Sequence, residues 1–298
     1  MMNSKPIKKW KKENVSAWLL LLPALITFSL FKYYPIFLGF YVSLYKLDIV
    51  NPPGHFVGFA NYIRVFKDPE FYNSFKNNAE FILICLLINF WVPILLAVLI
   101  NEVRHGKTLF RTLYFIPSIA PGIAVMVLWK YIWQPDYGLA NYLLRLIGIA
   151  PQMWLNDPAL VKWCMSIPGL LCGGGMTMVI YLAALQDIPQ EQYDSALIEG
   201  ASFTQKLRYI AIPQISTIIN IMFILTLIGT FNSFDGPMIM TGGGPIGSTE
   251  TMILYSYKVS YRDHDYSYGI TISMVVFAFV FLLTFIQMKL KSKNETRG

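Results

Sequence analysis

Charge is what this chain has little of. Of its 298 residues only 14% are charged, while 55% are hydrophobic. A soluble domain carries about a quarter of its residues charged, so this balance excludes an ordinary soluble fold and leaves a polytopic membrane protein. Cysteine is scarce too. Cys85, Cys164 and Cys172 lie in apolar runs without CxxC spacing or neighbouring histidines, which reads as core packing and leaves the redox compartment unreadable. His55, His105 and His264 stand apart in loops, so no metal-ligand or acid–base constellation of an intramembrane enzyme is present. Gly-x4-Gly-Lys-Ser/Thr is missing, and with it P-loop binding of ATP by this polypeptide. A cleavable signal peptide is not expected either, because the basic start leads into a run too long and proline-broken, with no small-residue cleavage site. The net charge of +7 could point to nucleic acid, but the lysines and arginines gather at the ends of apolar runs with no aromatic-basic surface motif. Membrane orientation explains them instead.

What the chain does have is apolar runs long enough to cross a bilayer, which takes about 20 residues. Six are expected, at 16–45, 79–101, 109–133, 161–186, 214–240 and 266–288. Pro23 and Pro35 interrupt the first, and Pro117 and Pro121-Gly122 loosen the third. Between the first two lies a polar connector, 46–77, with an amphipathic stretch from Phe59 to Phe66, and a second connector covers 134–160. Basic residues between 5 and 12, the Arg104–Arg111 loop and the tail fall on one side in short segments. The positive-inside rule therefore places both termini in the cytoplasm, and six crossings satisfy that parity. The expected organisation is a basic N-terminus at 1–15, one six-span membrane domain at 16–288 and a cytoplasmic tail at 289–298.

One polar interlude stands between the fourth and fifth runs, 187–213. Asp187 with Gln190 forms a capping-box pattern, and Pro189 suits a first helical turn. Tyr193, Ala196 and Leu197 recur at helical spacing, and Gly200 is placed to end that helix in a left-handed conformation. Ser202 with Gln205 offers a second capping box, after which Phe203, Leu207 and Ile210 share a face before Pro213. The pattern predicts a helix-turn-helix bracket with an apolar side. On pattern alone, such a bracket either lies flat on lipid or docks to another protein.

The text of this interlude resembles the cytoplasmic loop of importer-type ABC transporter permeases. Asp194-Ser195-Ala196, three residues, Gly200, nine residues, then Ile210-Ala211-Ile212-Pro213 parallels the family's Glu-Ala-Ala-x3-Gly-x9-Ile-x-Leu-Pro. Asp194, Ser195 and Ile212 are conservative departures. The resemblance implies an all-α fold of six transmembrane helices with a cytoplasmic coupling helix-turn-helix. It also implies that Tyr193, Asp194, Ala196, Leu197, Gly200, Ala201, Phe203 and Pro213 serve contact with a separate ATPase subunit, one of two in the assembly.

The fifth run carries Phe231-Asn232-Ser233-Phe234-Asp235, where an amide or carboxylate costs a few kcal/mol if it faces lipid. These groups read either as helix–helix or interfacial polar contacts, or as a sugar-like site in which aromatic faces and amides meet hydroxylated rings. The stretch from Phe231 through Met240-Thr241-Gly242-Gly243-Gly244-Pro245, then Ser248-Thr249 and Leu254-Tyr255, resembles carbohydrate-import permeases. The likeness is to the MalF-like partner of the maltose-type heterodimer. Leu182-Ala183-Ala184-Leu185-Gln186 and Pro135-Asp136-Tyr137-Gly138 fit the same group.

By that resemblance Phe231, Asn232, Asp235, Gly173 and Met176 face the substrate. Asp235 and Met176 depart from the maltose type and imply a different sugar. Gly242, Gly243, Gly244 and Pro245, otherwise an ordinary flexible turn, become a loop facing an extracytoplasmic solute-binding protein. The implied assembly is a heterodimer with a second permease in a bacterial cell membrane, importing a neutral carbohydrate and needing no cofactor of its own. An absence of Arg or Lys between the ends of spans four and five favours a neutral ligand over a non-sugar anion such as glycerol phosphate. An ion-coupled transporter or channel is the competing class. It calls for midplane ionisable groups, whereas Lys32, Lys130 and Asp235 sit nearer span ends.

Overall fold

The computed structural model describes residues 7–48, 52–103 and 105–295, the side chains of 7–16, 173 and 290–295 excepted. Arg104 and the basic side chains near both termini, Lys289 excepted, lie outside the described residues. Among the described residues, three helices are long and apolar enough to cross a membrane, namely Ala17–Ser43, Pro69–Glu102 and Tyr266–Lys289. Three bent pairs meet the same test together: Lys107–Ile119 with Gly122–Ile132 at 93°, Val161–Cys172 with Gly174–Gln186 at 49°, and Phe203–Gln214 with Ser216–Phe231 at 70°. Counting each pair as one crossing gives six, called here spans one to six in chain order.

Proline explains much of the irregularity. Its missing N–H and its ring leave the carbonyl four residues earlier without a helical partner. Pro35, Pro93 and Pro213 each follow by four residues a position inside a wide π-turn, at Ser29–Tyr33, Cys85–Asn89 and Leu207–Ala211. The extra residue in each turn lets the helix pass the proline without ending. Span one thus continues through both of its prolines. At Pro117 and Pro121 the chain turns sharply instead of merely loosening, because Pro121 itself takes an extended conformation before Gly122.

Three expectations are corrected here. Span two begins at Pro69, ten residues before the expected 79, because Asp68 caps it by accepting the Glu70 N–H at 2.9 Å. Span five ends at Phe231 and not at 240, and a second short segment, Pro237–Thr241, follows the break. The connectors also hold more structure than their sequence announced. Tyr45–Lys46 pairs antiparallel with His55–Phe56, and helices form at Leu139–Leu146 and Met252–Tyr261, while the amphipathic stretch from Phe59 to Phe66 forms the short helix its pattern predicts, Ala60–Val65.

Core packing falls into three clusters. One surrounds Ile94, Ala97, Tyr181, Leu182 and Ile215 and takes in the bracket's Tyr193, Leu207 and Ile210. The other two lie toward the opposite end, around Phe71, Met252, Tyr268 and Ile272, and around Trp133, Val161 and Met240. Cys164 belongs to the last of these, as its apolar context suggested. The glycine run of span four is a close-approach surface. A Cβ on Gly175 would lie 2.7 Å from the Tyr114 carbonyl oxygen, so spans three and four touch backbone to backbone there.

Asp68 ties the far end together. Its Oδ2 accepts hydrogen bonds from the Tyr255 and Tyr268 hydroxyls, each at 2.5 Å. Burial alone would raise the Asp68 carboxyl, but these two hydroxyls and the N–H groups of Glu70 and Phe71 outweigh it and hold the group below its ordinary value. Burial and the Asp68 charge push the Tyr255 phenol up. Because the folded Asp68 is the stronger acid, its stabilisation is present above the ordinary carboxylate range and disappears as pH falls through the lowered value. Asp68→Asn is therefore expected to lower the unfolding temperature at neutral pH. The deficit should shrink on acidification, a comparison that thermal unfolding in detergent at several pH values will make.

Candidate functional site

Two places depart from apolar helix packing: the bracket, and the break in span five with the loop beyond it. The bracket's first arm is Gln190–Ile198. Pro189, extended at φ −56° and ψ 128°, is its N-cap, and no side chain caps it. The expected Asp187–Gln190 box therefore does not form. The helix starts at Gln190 itself, whose amide donates along the arm to Asp194 at 3.2 Å. At the other end the reading holds: Gly200 has φ +76°. The Ala201 N–H reaches the Ala196 carbonyl at 2.9 Å and the Gly200 N–H reaches Leu197 at 3.1 Å, a Schellman closure. The Ser202–Gln205 capping box is present in both directions. Gln192 and Gln214 then bond one arm to the other.

The arms are two-sided. Tyr193 turns inward, and with Glu102, Lys206 and the exposed Phe203 it lines a small crevice at the end of span two. Burial, and then the Glu102 carboxylate, push the Tyr193 phenol up. Ala196 is half-buried on the same side. Leu197, expected on that face, points away and is 65% exposed, with Ile198 beside it at 88%. Asp194 and Pro213 are exposed as well, and Ala201 is half-buried.

The break in span five follows from its sequence. Asn232 and Ser233 compete with the helix for backbone partners, and Pro237 resists continuation. The Asn232 amide folds back onto the Ile228 carbonyl at 2.9 Å. Freed backbone groups in a membrane need replacement partners, and span two provides them. Asn78, fully buried, donates to the Thr230 and Phe231 carbonyls at 3.2 and 3.4 Å and accepts the Met252 N–H at 2.8 Å. The Thr251 hydroxyl donates to the Ser233 carbonyl at 2.7 Å.

Of the residues expected to face a substrate, Phe231 is packed into the apolar cluster around Met252 and Ile272. Asn232, Asp235 and Met176 are exposed. Gly173 closes the π-turn Gly169–Gly173 of span four. A separate cleft of about 360 Å³ opens between spans two, four and five beside the break, lined by Phe81, Asn89, Met165, Ser166, Thr230 and Ser233 among others. Asn232, Asp235 and Met176 do not line it.

The loop beyond the break is not a loose turn. Gly242 and Gly243 take left-handed φ values of +62° and +93°, and the Gly244–Pro245 peptide is cis. The Thr249 hydroxyl donates to the Gly244 carbonyl at 2.8 Å, and Thr241 and Thr249 share a bond of 2.7 Å. Asn73 and Asn77 of span two both donate to the Gly247 carbonyl, at 3.2 and 2.7 Å, and Asn77 also to Glu250 at 3.0 Å. Sequence reasoning missed these asparagines, having read 46–77 as connector. Three asparagines in the first turns of a span were the available signal.

Helical spans bent at glycine and proline, a two-armed bracket at one end and a pinned polar loop at the other define an all-α membrane permease. The family described as binding-protein-dependent transport system inner membrane component matches residues 89–293, and the chain belongs to it. Lactose transport system permease protein LacF of Rhizobium radiobacter is 32% identical over 254 residues, covering 84% of each chain. Trehalose/maltose transport system permease protein MalF of Thermococcus litoralis is 29% identical over 257 residues, covering 86% of this chain and 87% of the relative. A bacterial alginate ABC transporter, solved with an alginate pentasaccharide-bound periplasmic protein, contains a chain of the same fold. Its TM-score is 0.82 at 23% identity, over 94% of both chains.

Asn78→Ala leaves the Met252 N–H and two carbonyls without their partner. Each buried polar group so stranded costs about 1–3 kcal/mol. The variant is expected to unfold at lower temperature and to exchange the Met252 amide hydrogen faster. Exchange at the wild-type rate would show that the break does not rely on Asn78.

Proposed function

We propose that this chain is one of two different permease subunits of an ATP-driven, binding-protein-dependent importer of neutral carbohydrate. Its membrane-embedded part runs over 16–288, between a basic cytoplasmic segment at 1–15 and a cytoplasmic tail at 289–298. Both termini and the bracket face the cytoplasm of a bacterial cell. The subunit makes no covalent bond. Two ATPase subunits supply the energy, and a solute-binding protein delivers the sugar from outside.

The observation that carries the reading is the two-sided bracket. Its inner side, Tyr193, Leu207 and Ile210, belongs to the same apolar cluster as spans two, four and five. Its outer side offers Leu197 and Ile198 to whatever lies beyond. An element held firmly on one face and apolar on the other can pass a push from a docked partner into the spans. Family membership supplies the partner's class. In this reading Asp194, Leu197, Gly200 and Ala201 form the contact with an ATPase. Tyr193, Ala196 and Phe203 anchor the bracket to the membrane domain, and Pro213 precedes the bend into span five.

Substrate class rests on chemistry and on relatives. Asn232 and Asp235 at the break, with Met176 and Gly173 on span four, are the proposed path-lining positions, completed by the second permease. Phe231 supports them from behind. Two cations close to these elements are already engaged: Lys130 donates to the Ile239 carbonyl at 3.0 Å, and Lys162 binds Glu80 and Asn77. That favours a hydroxylated neutral ligand over an anion. The sugars named for the two relatives agree. Gly242 to Pro245 lie on the side where the binding protein docks.

Gly200→Trp in the assembled importer is expected to reduce sugar uptake and stimulated ATP hydrolysis by about tenfold or more, a typical allosteric coupling, with membrane insertion intact. Gly200→Asn, which tolerates the left-handed conformation, should retain most of both. Wild-type uptake by the tryptophan variant would rule out the bracket as the joint.

A further inference from the structure

The pinned loop is linked to span four through two side chains, Asn77 of span two and Lys162. Lys162 stands at the start of span four, at the end away from the bracket, and only 10% of its side chain is exposed. Its ammonium donates to Asn77 Oδ1 at 2.8 Å and pairs with the Glu80 carboxylate. The amide of the same Asn77 holds the carbonyls of Gly247 and Glu250. A continuous polar path therefore leads from the loop backbone through one amide to one ammonium. From there span four runs to Gln186, and the bracket opens at Gln190.

The energetics argue against a simple brace. Lys162 is buried while Glu80 keeps 40% of its side chain exposed, so taking the ammonium out of water costs about what its partners return, and an apolar side chain of similar size would serve stability as well. What the charged pair adds is direction: the ammonium is fixed to particular acceptors, where an apolar contact could slide. Loop geometry points the same way. Ile246, one peptide away from the carbonyl that Asn73 and Asn77 grip, is 95% exposed and has φ +50°. A β-branched residue in that region is strained, and such strain persists only where its surroundings impose it. The loop presents an aliphatic tip that cannot yield locally, so force on it passes to Gly247. Span four, for its part, can respond by pivoting at the 49° bend beside its π-turn Gly169–Gly173.

We propose that Lys162 is a positioning residue that couples docking of the solute-binding protein on the 242–250 loop to ATP hydrolysis. Through Asn77 it keeps the loop in register with the outer end of span four. Displacement of the loop then moves that span and the bracket behind it. This rests on the importer reading above.

The test uses the complete importer in nanodiscs, both permeases and the ATPases together, with the solute-binding protein that stimulates the wild type. Lys162→Met is expected to lose about tenfold or more of the stimulated ATPase rate, while the basal rate and the affinity for the binding protein stay near wild type. Lys162→Arg, which keeps the charge and the donors, should recover most of the stimulation. Lys162→Gln gives the same reading should the methionine variant not assemble. Stimulation of Lys162→Met to the wild-type rate overturns the inference alone. So does a parallel fall of basal and stimulated rates with the unfolding temperature, which is what a mere brace produces. A wild-type complex that no binding protein stimulates overturns the inference and the importer reading together.

Discussion

A backbone that leaves the regular helix inside a membrane must find new hydrogen-bond partners from within the protein, since lipid offers none. This chain departs often, at π-turns, at a 93° corner and at the break after Phe231. Span two is what makes those departures affordable. Its early asparagines take up the stranded carbonyls of Thr230 and Phe231, the N–H of Met252 and the carbonyls of Gly247 and Glu250. Further along, the Asn89 amide bonds the Ser166 carbonyl of span four at 3.2 Å. One continuous helix, buried along the strip that carries these asparagines, thus serves as the rack on which irregular neighbours hang. The exposed polar groups of the break, Asn232 and Asp235, can be presented because their backbone is secured from behind.

The bracket solves a different problem. Its ends are closed locally, by Gly200 and by the Ser202–Gln205 box, so it requires no help from the spans to stay helical. What it takes from them is a seat. Tyr193, Leu207 and Ile210 enter the cluster around Ile94 and Ile215, and Gln192 and Gln214 hold the arms together. A rigid element with an apolar seat has defined orientation and a free outer face, which is what a mechanical joint needs.

That contrast explains how much could be read beforehand. Caps and turns are local chemistry, and Gly200, Ser202 and Gln205 announce themselves within a few residues. Pro189 shows the limit of such reading: the Asp187–Gln190 pattern is present, yet the proline's extended backbone starts the helix later. Helical period placed Leu197 with Tyr193, but a nine-residue arm buries only the strip that its seat covers, and Leu197 falls outside it. The hardest features were those settled by distant partners. Asn78 and Met252 are 174 positions apart, and polarity alone makes a buried asparagine indistinguishable from a solvated one. The same blindness moved the start of span two to 79. Apolar content carried the fifth run to 240, past Asn232, Ser233 and Pro237, whose local pull against the helix is completed only by distant partners such as Asn78 and Thr251.

The few charges sharpen the division of labour between the two ends. Among the described residues, the pairs Arg64–Asp265, Lys162–Glu80 and Lys258–Glu250 all sit at the end opposite the bracket, as does Asp68 with its two tyrosines. Hydrogen bonds and ion pairs are directional, so that end has one arrangement and resists shear. The bracket end is held largely by aliphatic contact, which depends on area more than on angle and tolerates small displacement. Between them, spans three, four and five are each bent. The two ends are thus held by different forces, directional at one and packing at the other, with the bends between them. The few charges therefore serve position: among the described residues the ion pairs gather at the far end. The bracket keeps its shape by short-range caps and amide bonds within itself, and its seat by apolar packing.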